Sequence, residues 1–201
     1  MHMDTQRQQI IHLAKEKNIL KTRDILDAGL HHETLRRMCQ EGILEKTGRG
    51  LYRLADEDFT IHHDIALVAA QAPKGVICLI SALAFHEITT QLPHEVWMAF
   101  NRNDRVPQIS YPRLHVVRFS GPAMTEGVEM HSVENIDVRI TNPAKTITDC
   151  FKFRNKIGMD VVLEALQEGL RDRKCTRDEI WHYAEIDRVS RVMRPYLEAI
   201  T

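Results

Sequence analysis

Between residues 31 and 40 the chain carries His31, His32, Thr34, Arg36, Arg37 and Gln40, and Lys46, Arg49 and Arg53 follow within the next thirteen positions. These are side chains that recognise nucleic acid. An arginine fork pairs with guanine O6 and N7, glutamine pairs with adenine, and lysine or arginine neutralises phosphate. On a helix over this stretch, Leu35, Met38 and Cys39 share one face by i, i+3, i+4 spacing. His32, Glu33, Arg36, Arg37 and Gln40 then fall on the opposite face. On an isolated amphipathic helix, Arg36 and Arg37 would be no more than a solvated surface; the flanking sequence makes them candidates for base and phosphate contact.

Three features must position them. A helical stripe of Ile10, Ile11, Leu13 and Ala14 runs through Thr5–Lys17. Leu20 follows as an apolar anchor. A two-turn helix is then expected, with Thr22 as N-cap, Asp24 in the first turn, Ile25 and Leu26 inward and Gly29 at the end. After the candidate recognition helix stops at Gly42, Ile43 and Leu44 start a strand, Thr47-Gly48-Arg49-Gly50 turns, and Leu51 to Leu54 return. Two short helices followed directly by a basic hairpin spell a winged helix-turn-helix, which sets one helix in a major groove and the hairpin along the backbone.

Charge follows the same division. Residues 1–55 hold ten Lys and Arg against seven Asp and Glu, a net of +3 that leaves -4 for the remainder of a chain whose total is -1. A basic head on an acidic body suits a DNA reader joined to something else. Asp56 to Asp64 is polar and acidic and reads as a hinge. Beyond it the pattern predicts a helix over Ile65–Ala72 and a strand over Val76–Ile80. Ser81 is expected to cap the next helix. Further strands are expected at Val96–Phe100, Leu114–Phe119, Gly127–Val133 and Ile136–Thr141. Helices then follow after Asn142-Pro143, over Met159–Arg173, after Thr176 and up to Ile200. The expected fold class is α+β: an N-terminal winged helix-turn-helix at 1–56, a hinge at 57–64, and a larger mixed domain at 65–201 ending in helices. Within that body Arg102, Arg105, Arg113 and Arg118 cluster among aromatic residues as a second basic surface.

Catalytic patterns find no match. The chain has no Gly-Ser dipeptide, no Walker A loop, no G-x-G-x-x-G and no G-x-S-x-G. Its D-x-D, Asp56-Glu57-Asp58, lies in the hinge without a phosphate loop. The His31-His32 and His62-His63-Asp64 groups are adjacent rather than at ligand spacing, so neither a metal nor a cofactor is expected. No apolar run approaches the length of about 20 residues that spans a bilayer. The four cysteines are scattered singly, and the opening MHMDTQRQQ is polar, so a reduced, cytoplasmic protein is expected.

Three segments together carry a family likeness: EGILEKTGRGLYRLA, SALAFHEITTQLPHEVWMAF from Ser81, and ITNPAKTITDCFKFRNKIGMDVVLEAL from Ile140. In this order they resemble the AbiEi-family antitoxins of type IV toxin–antitoxin systems. The resemblance implies a winged helix that represses its own operon at inverted repeats in double-stranded DNA; two copies on such a repeat are expected, whether or not the chain dimerises free in solution. It also implies a C-terminal domain that counteracts a nucleotidyltransferase-like toxin without an obligatory stable complex. By the same likeness Arg36, Arg37 and Arg49 belong to the DNA-contacting set, and no catalytic residue is implied. The alternative is a stand-alone winged-helix regulator whose body senses a ligand or partner.

Overall fold

The computed structural model describes residues 2–56 and 60–200, so Glu57, Asp58 and Phe59 of the expected hinge, two of them in the D-x-D, lie outside the described residues. The head runs α1 (His2–Lys17), β1 (Leu20–Lys21), α2 (Thr22–Asp27), α3 (His32–Gln40), β2 (Leu44–Gly48) and β3 (Leu51–Leu54). Its sheet has the order β1-β3-β2, antiparallel throughout. Ile10, Ala14, Leu20, Ile25, Leu30, Leu35, Met38, Leu44, Tyr52 and Leu54 form its core. Two local expectations fail here. Leu26 is exposed, and Thr22 is the first residue of α2 rather than its cap. The Lys21 N–H donates instead to the Asp24 carboxylate at 2.7 Å, which leaves the Thr22 hydroxyl free to donate to the Gly50 carbonyl at 3.3 Å.

The body begins with α4 (His63–Gln71), so the helix takes in the last two residues of the expected hinge. Then come β4 (Val76–Ile77), α5 (Leu79–Phe85), β5 (Val96–Asn101), β6 (Leu114–Phe119), α6 (Pro122–Thr125), β7 (Val128–Val133) and β8 (Ile136–Thr141). The chain closes with α7 (Pro143–Lys152), α8 (Arg154–Ile157), α9 (Met159–Arg171), α10 (Arg177–Ile186) and α11 (Ser190–Ala199). The apolar run Val76–Ile80 is strand for only two residues. Leu79, at φ 51°, starts α5. Ser81 lies inside that helix, where its hydroxyl accepts from the Trp97 N–H at 2.9 Å instead of capping. The other caps hold: Asn142 accepts from the Lys145 N–H at 2.9 Å, and Thr176 forms a capping box with Glu179.

The body sheet has the order β6-β5-β4-β8-β7. Strands β5 and β6, and β4 and β8, are parallel, while β4 and β5, and β7 and β8, are antiparallel. Strand periodicity divides β5 between two cores. Val96, Met98 and Phe100 join Ile65, Leu67 and Val68 of α4 on one face. Trp97 and Ala99 join α5, α7, α9, α10 and α11 on the other. The α4-side core also takes in Ile19 and Leu51 of the head.

Deep in the second core sits an ionic cluster. Lys145 pairs with Asp149 and, at 3.1 Å, with Asp187, while Lys152 reaches the other oxygen of Asp187 at 3.1 Å. Burial pushes the Asp149 carboxyl well above the usual carboxylate range. For Asp187 the push from burial is outweighed by the hydrogen bond from Asp149 and by Lys145 and Lys152, which hold it below that range. The Asp187 contribution to stability is therefore present above the ordinary carboxylate pKa and is lost as the pH falls below it. Asp149 acts in the opposite sense, opposing stability increasingly as pH rises from the ordinary carboxylate pKa toward its own. Lys145→Ala removes a buried cation from the Asp187 carboxylate and is expected to cost about 3–5 kcal/mol in urea unfolding at pH 7. Asp149→Asn, which mimics the neutral form that burial favours, is expected to cost far less; equal losses would contradict this charge assignment.

Candidate nucleic-acid interface

Helix α3 exposes the face expected of it. Leu35 and Met38 are buried, whereas His31, His32, Glu33, Arg36, Arg37 and Gln40 are exposed. Thr34 departs from the expected set. It is half-buried, and its hydroxyl donates to Gln6 Oε1 of α1 at 3.1 Å, so it fastens α3 to α1. Burial pushes the Cys39 thiol above its usual range, and the charge of Lys46 opposes that shift.

The wing is the β2–β3 hairpin. Gly50, at φ 69°, makes its turn in a conformation that disfavours a side chain, and a Cβ there would meet Thr22 Oγ1 at 3.0 Å. The Thr22 N–H also donates to the Gly50 carbonyl at 2.9 Å, tying the wing's turn to the start of α2. Gly48 admits Gln71 of α4 close against the hairpin; a Cβ on Gly48 would lie 3.2 Å from Gln71 Cδ. Lys46 and Arg49 are exposed. Among the described residues, Arg36, Lys46 and Arg49 have no acidic partner within ion-pair distance. Of the nearby acids, Glu41 pairs with Arg7 at 3.0 Å and Glu45 pairs with Arg53, while Glu33 is exposed on the same face of α3.

Arg53 is a correction to the expected set. It is only 6% exposed and bonds across the hairpin to Glu45. Strand β3 is the central strand of the head's sheet and is buried on both faces: Tyr52 and Leu54 enter the head core, while Leu51 enters the body's. Arg53 shares the Leu51 face, so it is part of the hairpin's own structure.

The four body arginines also separate. The Arg118 guanidinium donates to the carbonyls of Asn101 at 2.7 Å and Asp104 at 2.8 Å, clamping the base of the β5–β6 loop. Arg113 is exposed beside β6, where its carbonyl accepts from the Val96 N–H at 2.8 Å. Arg102 is exposed just past β5. Arg105 lines a cleft of about 650 Å³ together with Arg49 of the wing, Gln71 of α4, and Gln108. Gln108 and Gln71 were not anticipated. They carry no local signal, because only tertiary packing brings them to the wing.

The helix-turn-helix, its hairpin and the exposed cations define a winged-helix DNA-binding domain carried on an α+β body. Residues 8–55 match the family described as transcriptional regulator, AbiEi antitoxin. The likeness read from the sequence thus holds for the head: the chain carries the transcriptional-regulator domain of the AbiEi antitoxins and is a DNA-binding regulator. The matched family is a regulatory one rather than an enzyme family. The crystal structure of RV2827C protein from Mycobacterium tuberculosis is similar over 90% of this chain and 71% of its own, with a TM-score of 0.64 at 12% identity, a likeness of fold. No curated protein matches the chain. No helix among the described residues is long and apolar enough to cross a membrane.

Arg53→Ala is expected to lower the stability of the head by about 1–3 kcal/mol, as befits a lost charged hydrogen bond. It should leave the salt dependence of DNA binding unchanged. Thermal melts and anisotropy titrations measure the two effects, and a flatter salt slope in a fully folded variant would restore Arg53 to the contact set.

Proposed function

We propose that this chain is the antitoxin of a type IV toxin–antitoxin system and the repressor of its own operon, acting in the cytoplasm. The observation that carries the regulatory half is the set of exposed cations that have no acidic partner among the described residues, Arg36 on α3 with Lys46 and Arg49 on the wing, in a domain of the AbiEi regulator type. In this reading α3 enters the major groove. Arg36, Arg37 and Gln40 meet base edges, His31 and His32 meet phosphate or base edges at its leading end, and Lys46 and Arg49 hold the adjoining backbone. Two copies bind an inverted repeat, with half-sites about 34 Å apart or a multiple of that on one face of the duplex. The body counteracts a nucleotidyltransferase-like toxin encoded beside the antitoxin, without a stable complex being required. The support for this second half is the family likeness of the head and the succession of body segments that resembles the family.

On DNA taken from immediately upstream of its own gene, Arg36→Ala is expected to weaken binding by about 1–3 kcal/mol. Mobility shifts at fixed salt check it, and wild-type affinity in an Arg36→Ala, Arg37→Ala double variant would contradict the proposed role of α3. Co-expression checks the antitoxin role: the full chain should restore growth of cells expressing the neighbouring reading frame, and failure to do so would remove that half of the proposal.

A further inference from the structure

The start of α4 and the loop joining α5 to β5 enclose a cavity of about 340 Å³ that no residue of α3 or the wing lines. Its walls are aliphatic: Ile65 of α4, Ala84 of α5, Pro93 of the loop and Val96 of β5. Ile61 and Leu92 stand at its rim, 86% and 77% exposed, the two most exposed large apolar side chains among the described residues. A single exposed leucine is ordinary, but two such side chains on one concave site leave apolar surface for an occupant to cover. Size and wall chemistry are those of a small-molecule site, where a few polar groups set the orientation of the ligand. Here the charged groups are of one sign. Asp64, Glu87 and Glu95 line the cavity, and no lysine or arginine does. Asp64 accepts from the Tyr111 hydroxyl. The partners of the other two lie outside the lining, with Lys174 Nζ 3.8 Å from Glu87 and His115 Nδ1 3.3 Å from Glu95. The Glu87 side chain is 81% exposed, so its contact with Lys174 is screened and neutralises little of its charge. Burial lowers the pKa of His62, which also lines the cavity, with Glu87 opposing the shift, so this imidazole is uncharged at neutral pH.

We propose that this cavity binds a small organic cation, a protonated amine carried on an apolar frame. The frame lies among Ile65, Ala84 and Val96. The ammonium is taken by Glu87 and Glu95, because Asp64 is already bonded to Tyr111. The same carboxylates reject an anion of equal shape, which would meet like charge on entering. The site shares no residue with α3 or the wing, so it stands or falls independently of DNA binding.

Amide-shift titrations of the isotope-labelled full chain at neutral pH test this with three probes of one shape: phenylbutylamine, phenylbutanol and phenylbutyrate. The amine is expected to shift amides within 61–65 and 84–96 saturably. It should bind about tenfold more tightly than the alcohol, the increment of one charged hydrogen bond. The acid should not bind. In a Glu87→Gln, Glu95→Gln double variant the amine should fall to the affinity of the alcohol, and the alcohol should bind as before. Ala84→Trp fills the cavity from a half-buried position on α5 and should abolish binding of both. Circular dichroism and melting curves check that the variants fold. Glu87 is exposed and Glu95 half-buried, so the double variant remains decisive even if Ala84→Trp does not fold. The proposal is overturned by the absence of saturable shifts at those amides, by equal affinity for amine and acid, or by an amine preference that survives in the double variant. Shifts scattered over acidic residues elsewhere would mark general cation attraction and would overturn it as well.

Discussion

The seam between head and body fixes the geometry of everything at the DNA-facing edge. Ile19 and Leu51 leave the head's own core and enter the body's, beneath α4. Each such apolar side chain is worth about 1.5–3 kcal/mol when fully buried. One two-residue turn reinforces the seam. Glu134 and Asn135, both at positive φ between β7 and β8, face opposite partners. Glu134 accepts from the Thr60 hydroxyl at 2.6 Å and lies 2.7 Å from His63 Nδ1, holding the start of α4. Asn135 donates at 2.7 Å to the Glu16 carbonyl near the end of α1. The winged helix is thus docked on the body by buried apolar contact and by the Asn135–Glu16 bond, and the wing has a defined neighbour.

That docking sorts the cations by what surrounds them. Arg53 faces the seam and is spent on Glu45. Arg118 points back into its own loop and organises carbonyl groups. Lys145, completely buried, is balanced by carboxylates in the body's core, where a free ammonium would be prohibitively costly. Arg36, Lys46, Arg49 and Arg105 remain exposed without acidic partners among the described residues. An exposed cation that makes no ion pair within the fold keeps its charge available for a polyanion.

The head was largely legible because its rules are local. The i, i+3, i+4 spacing of Leu35, Met38 and Cys39 sets the outward face of α3, and glycine marks the hairpin turn. Where the reading failed, a neighbour distant in sequence decided the outcome. Arg53 follows the period of a wing exposed on one face, yet the body covers that face. The Thr22 hydroxyl is taken by Gly50 instead of capping. The run Val76–Ile80 has strand composition, but the chain turns at Leu79 to lay α5 against β5, with Ser81 bonded to Trp97. In the body, the strand candidates at Val96–Phe100, Leu114–Phe119, Gly127–Val133 and Ile136–Thr141 correspond to β5 to β8, and capping chemistry located α7 and α10. The approach of Arg105 to Arg49 depends on the seam alone, and no spacing along the chain encodes it.

The account's central claim is that α3 and the wing are the surface that meets DNA. Hydrogen exchange on the full chain, with and without saturating duplex from upstream of its own gene, tests it most directly. Slowed exchange concentrated in peptides spanning His31 to Gly50 is the predicted result. Unchanged exchange across those peptides, with protection confined to the helices α9 to α11, would contradict it.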